Sequence, residues 1–135
     1  MKVVLDTNVL LSGLMKPDSV PGKIVRAWGA AQFDLILSEA MLDEIGRALG
    51  YPKIRRRLRW DQETTARFLL LLRFKAEIVN TEAVCVEVPG DPCDVPILAS
   101  LIAGEGSFLV TGDSALLKLR GRYPIVTPAE FANRL

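Results

Sequence analysis

Carboxylates at the ends of two predicted strands are the first residues of this chain that could do chemistry. The apolar run at residues 3–5 ends at Asp6, and the run at residues 107–110 leads through Thr111 and Gly112 to Asp113. Parallel strands end at the same edge of a sheet, and ligands bind beyond that edge, so both acids are expected there. Each acid also has a local interpretation, in which Asp6 forms an Asx-turn and Asp113 caps the following helix.

Two further acids lie on predicted helices. Asp94 precedes Ile97 and Leu98 by three and four residues, so it shares their apolar stripe, although it also suits a simple N-cap. Glu44 borders the apolar stripe of the predicted helix at residues 39–49; a glutamate there is by itself typical of a boundary residue in contact with solvent. Taken together, the four acids are predicted to converge at one end of the sheet.

The composition restricts the chemistry that these acids can perform. The chain has 135 residues, 17 Lys plus Arg, 16 Asp plus Glu and no histidine, and its formal net charge is +1. The absence of histidine excludes Ser-His-Asp and Cys-His nucleophile systems, a histidine general base and zinc sites with imidazole ligands. Close carboxylates repel one another, and a divalent cation relieves that repulsion. Ligation by oxygen alone favours Mg²⁺ or Mn²⁺ over zinc.

Short apolar runs alternate with longer helical patterns along the chain. Strands are predicted near residues 3–5, 33–37, 78–79, 84–88, 107–110 and 125–126, and helices near 9–14, 23–31, 39–49, 62–75, 94–103 and 115–119, with a last helix after Thr127. No linker or repeat divides the chain, so one domain over residues 1–135 is expected. The alternation of strands and helices predicts an α/β sandwich with a mostly parallel central sheet.

The sequence also predicts a protein of the reducing cytoplasm that does not cross a membrane. The apolar run at residues 68–72 is bounded by Arg67 and Arg73, whereas a bilayer span needs about 20 residues. The N-terminus reaches Asp6 without the apolar core of a signal peptide. Cys85 and Cys93 are too few for a disulfide scaffold, so we interpret them as reduced thiols.

Four sequence blocks resemble the motifs of PIN-domain nucleases, in the same order and over nearly the whole chain. The first is the segment at residues 5–13, with Asp6-Thr7-Asn8 at its start. Ser38 followed by Glu44 resembles the second motif, residues 91–94 leading into Ile97 resemble the third, and residues 110–113 resemble the fourth. The closest resemblance is to prokaryotic PIN proteins that are toxin components of toxin–antitoxin systems.

The resemblance implies a three-layer α/β/α sandwich and a metal-dependent ribonuclease that hydrolyses RNA phosphodiester bonds in the cytoplasm. Its catalytic and metal-binding acids correspond to Asp6, Glu44, Asp94 and Asp113, and its accessory polar positions to Asn8, Thr111, Ser12 and Asp91. Of the two acids in the third block, Asp91 and Asp94, Asp91 is assigned to a supporting position or a turn. The resemblance also implies Mg²⁺ or Mn²⁺ as cofactor, RNA as substrate and a cognate antitoxin as partner.

A basic segment could hold RNA around an acidic centre that repels it. Its cations are Lys53, Arg55, Arg56, Arg57 and Arg59, with Arg47 just before them. Lys118 follows Asp113 closely and could form the opposite rim of the site. These cations suit a surface that follows a phosphate backbone, and they equally suit a solvated helix face. The apolar helix at residues 68–74 is predicted to be core, with a homodimer or antitoxin interface as the alternative.

Two rival functions place acids in similar positions. One is a non-toxin PIN-like module that processes or binds RNA with little or no turnover, which the intact acid set argues against. The other is a phosphotransfer domain of the receiver or phosphatase type. A receiver would need a second acid after the first strand and a lysine at the end of a late strand, and neither is present here.

Overall fold

A five-stranded, all-parallel sheet forms the centre of the molecule. The computed structural model describes residues 1–89 and 95–135. The strands are β1 (Lys2–Leu5), β2 (Asp34–Ser38), β3 (Glu77–Val79), β4 (Phe108–Val110) and β5 (Ile125–Val126), and their order in the sheet is β3-β2-β1-β4-β5. β1 is therefore the central strand, with β2 and β3 on one side of it and β4 and β5 on the other.

The central strands are apolar because helices cover both faces of the sheet. Leu35, Ile36 and Leu37 of β2 are consecutive and all buried, so side chains that point to opposite faces both lie in the core. A continuous apolar run, rather than an alternating one, is the pattern of such a strand.

The helices in the described residues are α1 (Thr7–Met15), α2 (Val20–Gly29), α3 (Glu39–Leu49), α4 (Pro52–Leu58), α5 (Gln62–Lys75), α6 (Val95–Ala103), α7 (Ser114–Leu117) and α8 (Pro128–Ala132). Local signals set several of their starts. The Ser38 hydroxyl accepts a hydrogen bond from the Met41 amide, and Thr127 and Glu130 form a capping box at α8. The predicted α/β/α sandwich is confirmed.

One predicted strand is wrong. Residues 84–88 form no strand, although Val84 and Val86 are half-buried, Val88 is buried, and the residues between them are exposed. The alternation thus describes burial correctly, but the segment joins no sheet. Side-chain periodicity reports which face is covered, whereas a strand also needs a neighbouring strand that takes up its main-chain hydrogen bonds.

The prediction that residues 68–74 are core is largely wrong as well. Of this segment only Leu72 is buried, whereas Leu70, Leu71 and Phe74 are exposed. A helix that packs on one side covers a single stripe, and the apolar residues of α5 extend beyond that stripe. No helix in residues 1–89 and 95–135 combines the length and the apolar character needed to cross a bilayer.

Candidate metal-binding site at the sheet edge

Asp6 is a buried carboxylate at the carboxyl end of β1. It caps α1, with Oδ1 accepting a hydrogen bond from the Asn8 amide at 3.3 Å. Its other oxygen, Oδ2, accepts a hydrogen bond from the Thr111 hydroxyl at 2.7 Å. Only 6% of Asp6 is exposed. The local interpretation, in which Asp6 accepts from a nearby main-chain amide, is therefore confirmed. The hydrogen bond from Thr111 in addition joins Asp6 to a segment 105 residues away.

Strand β4 brings Thr111 and Asp113 to Asp6. Leu5 and Val110 are partners in the parallel β1–β4 pair, and the Asp6 amide donates to the Val110 carbonyl at 3.0 Å. Thr111 is fully buried, and its hydroxyl also accepts from the Asp113 amide at 3.0 Å. Asp113 in turn caps α7 by accepting from the Leu116 amide. A single hydroxyl thus links the two strand-end acids that the sequence places at this edge.

Burial raises the pKa of Asp6 above its ordinary value of 3.8, because the charged form loses its hydration. The hydrogen bonds from Thr111 and the Asn8 amide oppose this rise by stabilising the carboxylate, while the nearby charge of Asp113 adds to it. The direction of this shift indicates that the hydrogen bonds from the described residues do not fully offset the cost of burying the charge of Asp6. A cation beside Asp6 would supply the missing compensation.

Glu44 is attached to the same region through Thr7. The Thr7 hydroxyl donates to Glu44 Oε2 at 3.1 Å, which connects the start of α1 to the middle of α3. Thr7 is buried, and Glu44 is half-buried. The site prediction did not include Thr7, although it stands between Asp6 and Asn8 in the first motif. A signal was available, since a buried threonine beside a buried acid needs a hydrogen-bond partner.

The remaining predicted site residues are placed as follows. Asn8 is exposed, and its main-chain amide rather than its side chain contacts Asp6, while Ser12 is half-buried one turn further along α1. Asp91 and Asp94 lie outside the described residues. The helix that follows them, α6, begins at Val95 and packs against β1, β2 and β4.

The described part of the site matches a hard divalent cation in donor chemistry but does not enclose one by itself. Its donors are carboxylate and hydroxyl oxygens, which Mg²⁺ and Mn²⁺ prefer. Within residues 1–89 and 95–135, no three side chains of His, Cys, Asp or Glu lie close enough together to hold a metal ion. Asp6, Glu44 and Asp113 therefore do not form a metal cage without a further ligand.

The predicted RNA-binding cations fall on three different surfaces. Arg55, Arg56 and Arg57 are exposed on α4, which packs against α1 and α3, the helices that begin beside Asp6 and carry Glu44. Lys53 and Arg59 are exposed at the two ends of the same helix. Lys118 is exposed at the end of α7, and Arg47 lines a groove between α3 and α5.

The fold and site define a class: α/β proteins that gather carboxylates where the order of a parallel sheet reverses. Here the reversal lies at β1 and β4, the strands that carry Asp6 and Asp113. The chain belongs to the PIN-domain family, whose model, described as "PIN domain", matches residues 2–115. PIN domains are generally nucleases and generally use divalent metal ions, so membership supports a hydrolase activity on nucleic acid.

Two known proteins illustrate the similarity. An uncharacterized protein, MJ1680, from Methanocaldococcus jannaschii is 29% identical over 120 residues, which cover 89% of this chain and 76% of the relative. The crystal structure of VapBC2 from Rickettsia felis, bound to a DNA fragment from its promoter, contains a chain that superposes with a TM-score of 0.58 at 16% identity. That match covers 94% of this chain and 98% of the other, and it establishes a shared fold.

Proposed function

We propose that residues 1–135 form a single PIN-like domain that acts as a metal-dependent endoribonuclease, the toxin component of a type II toxin–antitoxin system in the cytoplasm. The observation that carries this proposal is the buried Asp6, bound by Thr111 and close enough to Asp113 for its charge to raise the pKa of Asp6. Family membership supports the nuclease class. The structural similarity to VapBC2 supports an antitoxin protein as partner.

In this proposal Asp6 and Asp94 hold Mg²⁺ or Mn²⁺, with Glu44 and Asp113 as further ligands, directly or through water. A divalent cation bound there supplies charge neutralisation at the phosphoryl group and acidification of the attacking water. Thr111 holds the Asp6 carboxylate in place, and Thr7 does the same for Glu44. Glu44 or Asp113 orients the water for in-line attack. Asn8, Ser12 and Asp91 are assigned supporting polar roles.

The substrate surface in this proposal is the exposed face of α4 together with Lys118. The arginines of α4 are exposed on a helix that packs against α1, which begins beside Asp6, and against α3, which carries Glu44. Their positive charge suits contacts with a phosphate chain on the surface that adjoins these two helices. Arg47 belongs to α3 rather than to α4 and lines the main section of the groove between α3 and α5, so we leave it out of the proposed substrate contacts. Arg55 of α4 borders the same groove at its smaller section.

Cleavage of a single-stranded RNA tests the metal mechanism. Activity is expected to require Mg²⁺ or Mn²⁺, to stop in EDTA and to be lost in Asp94→Asn. Asp34→Asn is the matched control, because Asp34 is exposed at the opposite, amino end of β2. Equal cleavage with and without EDTA would refute the mechanism. Tight RNA binding without cleavage in either metal would instead favour the RNA-binding module.

Salt-dependent binding tests the substrate surface. Replacing Arg55, Arg56 and Arg57 with Ala is expected to weaken RNA binding and to flatten the dependence of log K on log salt, by up to about 0.7 in slope for each lost phosphate contact on a single strand. The control variant replaces the exposed Lys16, Lys23 and Arg26 with Ala, which removes the same charge from another surface. If the two variants behave alike, α4 is only a solvated face.

A further inference from the structure

The groove between α3 and α5 has a smaller section at the C-terminal end of α3, with a volume of about 270 Å³. Leu49 and Leu69 give this section an apolar lining, and Leu49 is buried. Its polar lining residues are Arg55 of α4 and Gln62 and Thr65 of α5. A recess that combines apolar surface with a few polar side chains is the usual form of a ligand site.

Gly46, in the interior of α3, lines this section without a side chain. A Cβ atom at Gly46 would lie 3.6 Å from Leu69 Cδ1, an ordinary van der Waals contact, so the fold leaves room for a side chain there. Gly104 is different, because its Cβ atom would lie 2.8 Å from Ile36 Cδ1. A glycine inside a helix lowers stability relative to alanine. Since packing among the described residues does not require Gly46, its place in the groove accounts for it.

The polar side chains of the smaller section are available to a ligand. Among residues 1–89 and 95–135, Arg55 forms no ion pair, and the Gln62 side chain forms no hydrogen bond. The Thr65 hydroxyl donates to the Asp61 carbonyl at 3.0 Å, so its oxygen can still accept. The Gln62 amide offers a donor and an acceptor, and Arg55 offers a cationic plane. A ligand with flat apolar faces and polar edge groups would match all three side chains.

The charge of this section suits a nucleotide. Arg55 is the only charged residue among the described residues that line it. Arg56 and Arg57 are exposed on the same helix and extend the positive charge beside it. A nucleotide joins an anionic phosphate to a base whose faces are apolar and whose edges carry donors and acceptors. Unpaired RNA bases stack on guanidinium planes and hydrogen-bond through their edges.

We propose that the smaller section of the α3–α5 groove is a subsite for one unpaired base of the RNA substrate. The proposal rests on the proposed function, in which the arginines of α4 contact the RNA. In this subsite the base stacks on Arg55, and its edge hydrogen-bonds to Gln62 and Thr65. Gly46 leaves room for the base, while Arg56 and Arg57 contact the neighbouring phosphates. The subsite therefore favours single-stranded RNA over a paired duplex.

An oligomer without bases separates base contacts from phosphate contacts. Fluorescence anisotropy in EDTA, which prevents cleavage, compares a short single-stranded RNA with an abasic ribose-phosphate oligomer of the same length. Wild type is expected to bind the RNA about tenfold more tightly. Gly46→Leu fills the section and is expected to lose this preference, with unchanged affinity for the abasic oligomer. The matched control, Gly29→Leu, adds the same side chain at an open position of α2 and is expected to keep the preference.

A conservative substitution tests the role of Arg55. Arg55→Lys keeps the charge and loses the guanidinium plane, so it is expected to reduce the preference for RNA and to leave the salt dependence of binding unchanged. Arg56→Lys is the matched control on the same helix, because Arg56 does not line the section. Gly46→Ala tests the fold, and it is expected to raise the melting temperature by about 3 °C because alanine favours the helix.

The outcomes distinguish this proposal from the proposed function. Equal affinity of wild type for the two oligomers would overturn the subsite and leave the RNA-binding surface of α4 in place. A preference that survives both Gly46→Leu and Arg55→Lys would assign the groove to a partner other than RNA and would also overturn the subsite. A lowered melting temperature of Gly46→Ala would show that packing requires the glycine, against the proposal. A wild-type protein that binds neither oligomer would overturn both proposals.

Discussion

Replacing Thr111 with Val is expected to destabilise the metal-free protein, and to do so more as the pH rises. Valine keeps the shape of the fully buried side chain but removes the hydroxyl that donates to Asp6 at 2.7 Å. A hydrogen bond to a charged group contributes about 1.5–3 kcal/mol, so we expect a loss of about 2 kcal/mol above the pKa of Asp6. With an unfolding entropy of about 2.1 cal/mol/K per residue over 135 residues, this loss lowers the melting temperature by about 7 °C.

The pH dependence follows from the raised pKa of Asp6. The folded protein favours the protonated form of Asp6. Asp6 therefore leaves the free energy of unfolding unchanged well below its unfolded pKa, and its ionisation lowers that free energy progressively as pH rises through its folded pKa. Thr111 lowers that pKa, so Thr111→Val raises it further. The difference in unfolding free energy between wild type and variant is therefore small in acid and largest at neutral pH.

Urea unfolding in EDTA, followed by the fluorescence of the buried Trp28 and the half-buried Trp60 from about pH 3.5 to 8, measures this difference. The control is Thr65→Val, because the Thr65 hydroxyl donates to the main-chain carbonyl of Asp61 rather than to a carboxylate. Its cost is expected to be independent of pH. An equal loss for Thr111→Val at both ends of the pH range would refute the assignment of the hydroxyl to the Asp6 carboxylate.

Two further predictions concern the same site. Asp6→Asn is expected to raise the melting temperature of the metal-free protein, because it removes a poorly compensated buried charge and keeps a good N-cap, and to abolish cleavage. Differential scanning calorimetry in EDTA measures the change in melting temperature. A melting temperature at or below that of wild type would contradict the prediction. Thr7→Val is expected to reduce Mn²⁺-dependent cleavage about tenfold or more, and Thr7→Ser to retain it, because the hydroxyl positions Glu44. Equal loss of activity in the Val and Ser variants would show that Thr7 acts through packing instead.

Local patterns in the sequence were sufficient for most elements and for the location of Asp6 and Asp113. The apolar run of β1 ends at Asp6 because a buried strand needs uninterrupted apolar residues, and Ser38 marks the start of α3 because its hydroxyl can cap a free amide. Parallel strands necessarily place their carboxyl ends together, so a shared edge for the two acids was predictable.

The tertiary structure alone decided what these residues contact. Strand order is set by packing between distant segments, so only the fold could show that β1 and β4 are neighbours and that Thr111 reaches Asp6 across 105 residues of chain. The Thr7–Glu44 bond likewise depends on how α3 packs against α1. The exposed face of α5 was mispredicted because hydrophobicity reports a tendency toward burial, whereas burial itself requires a partner surface, and this chain folded alone offers none for Phe74 among its described residues.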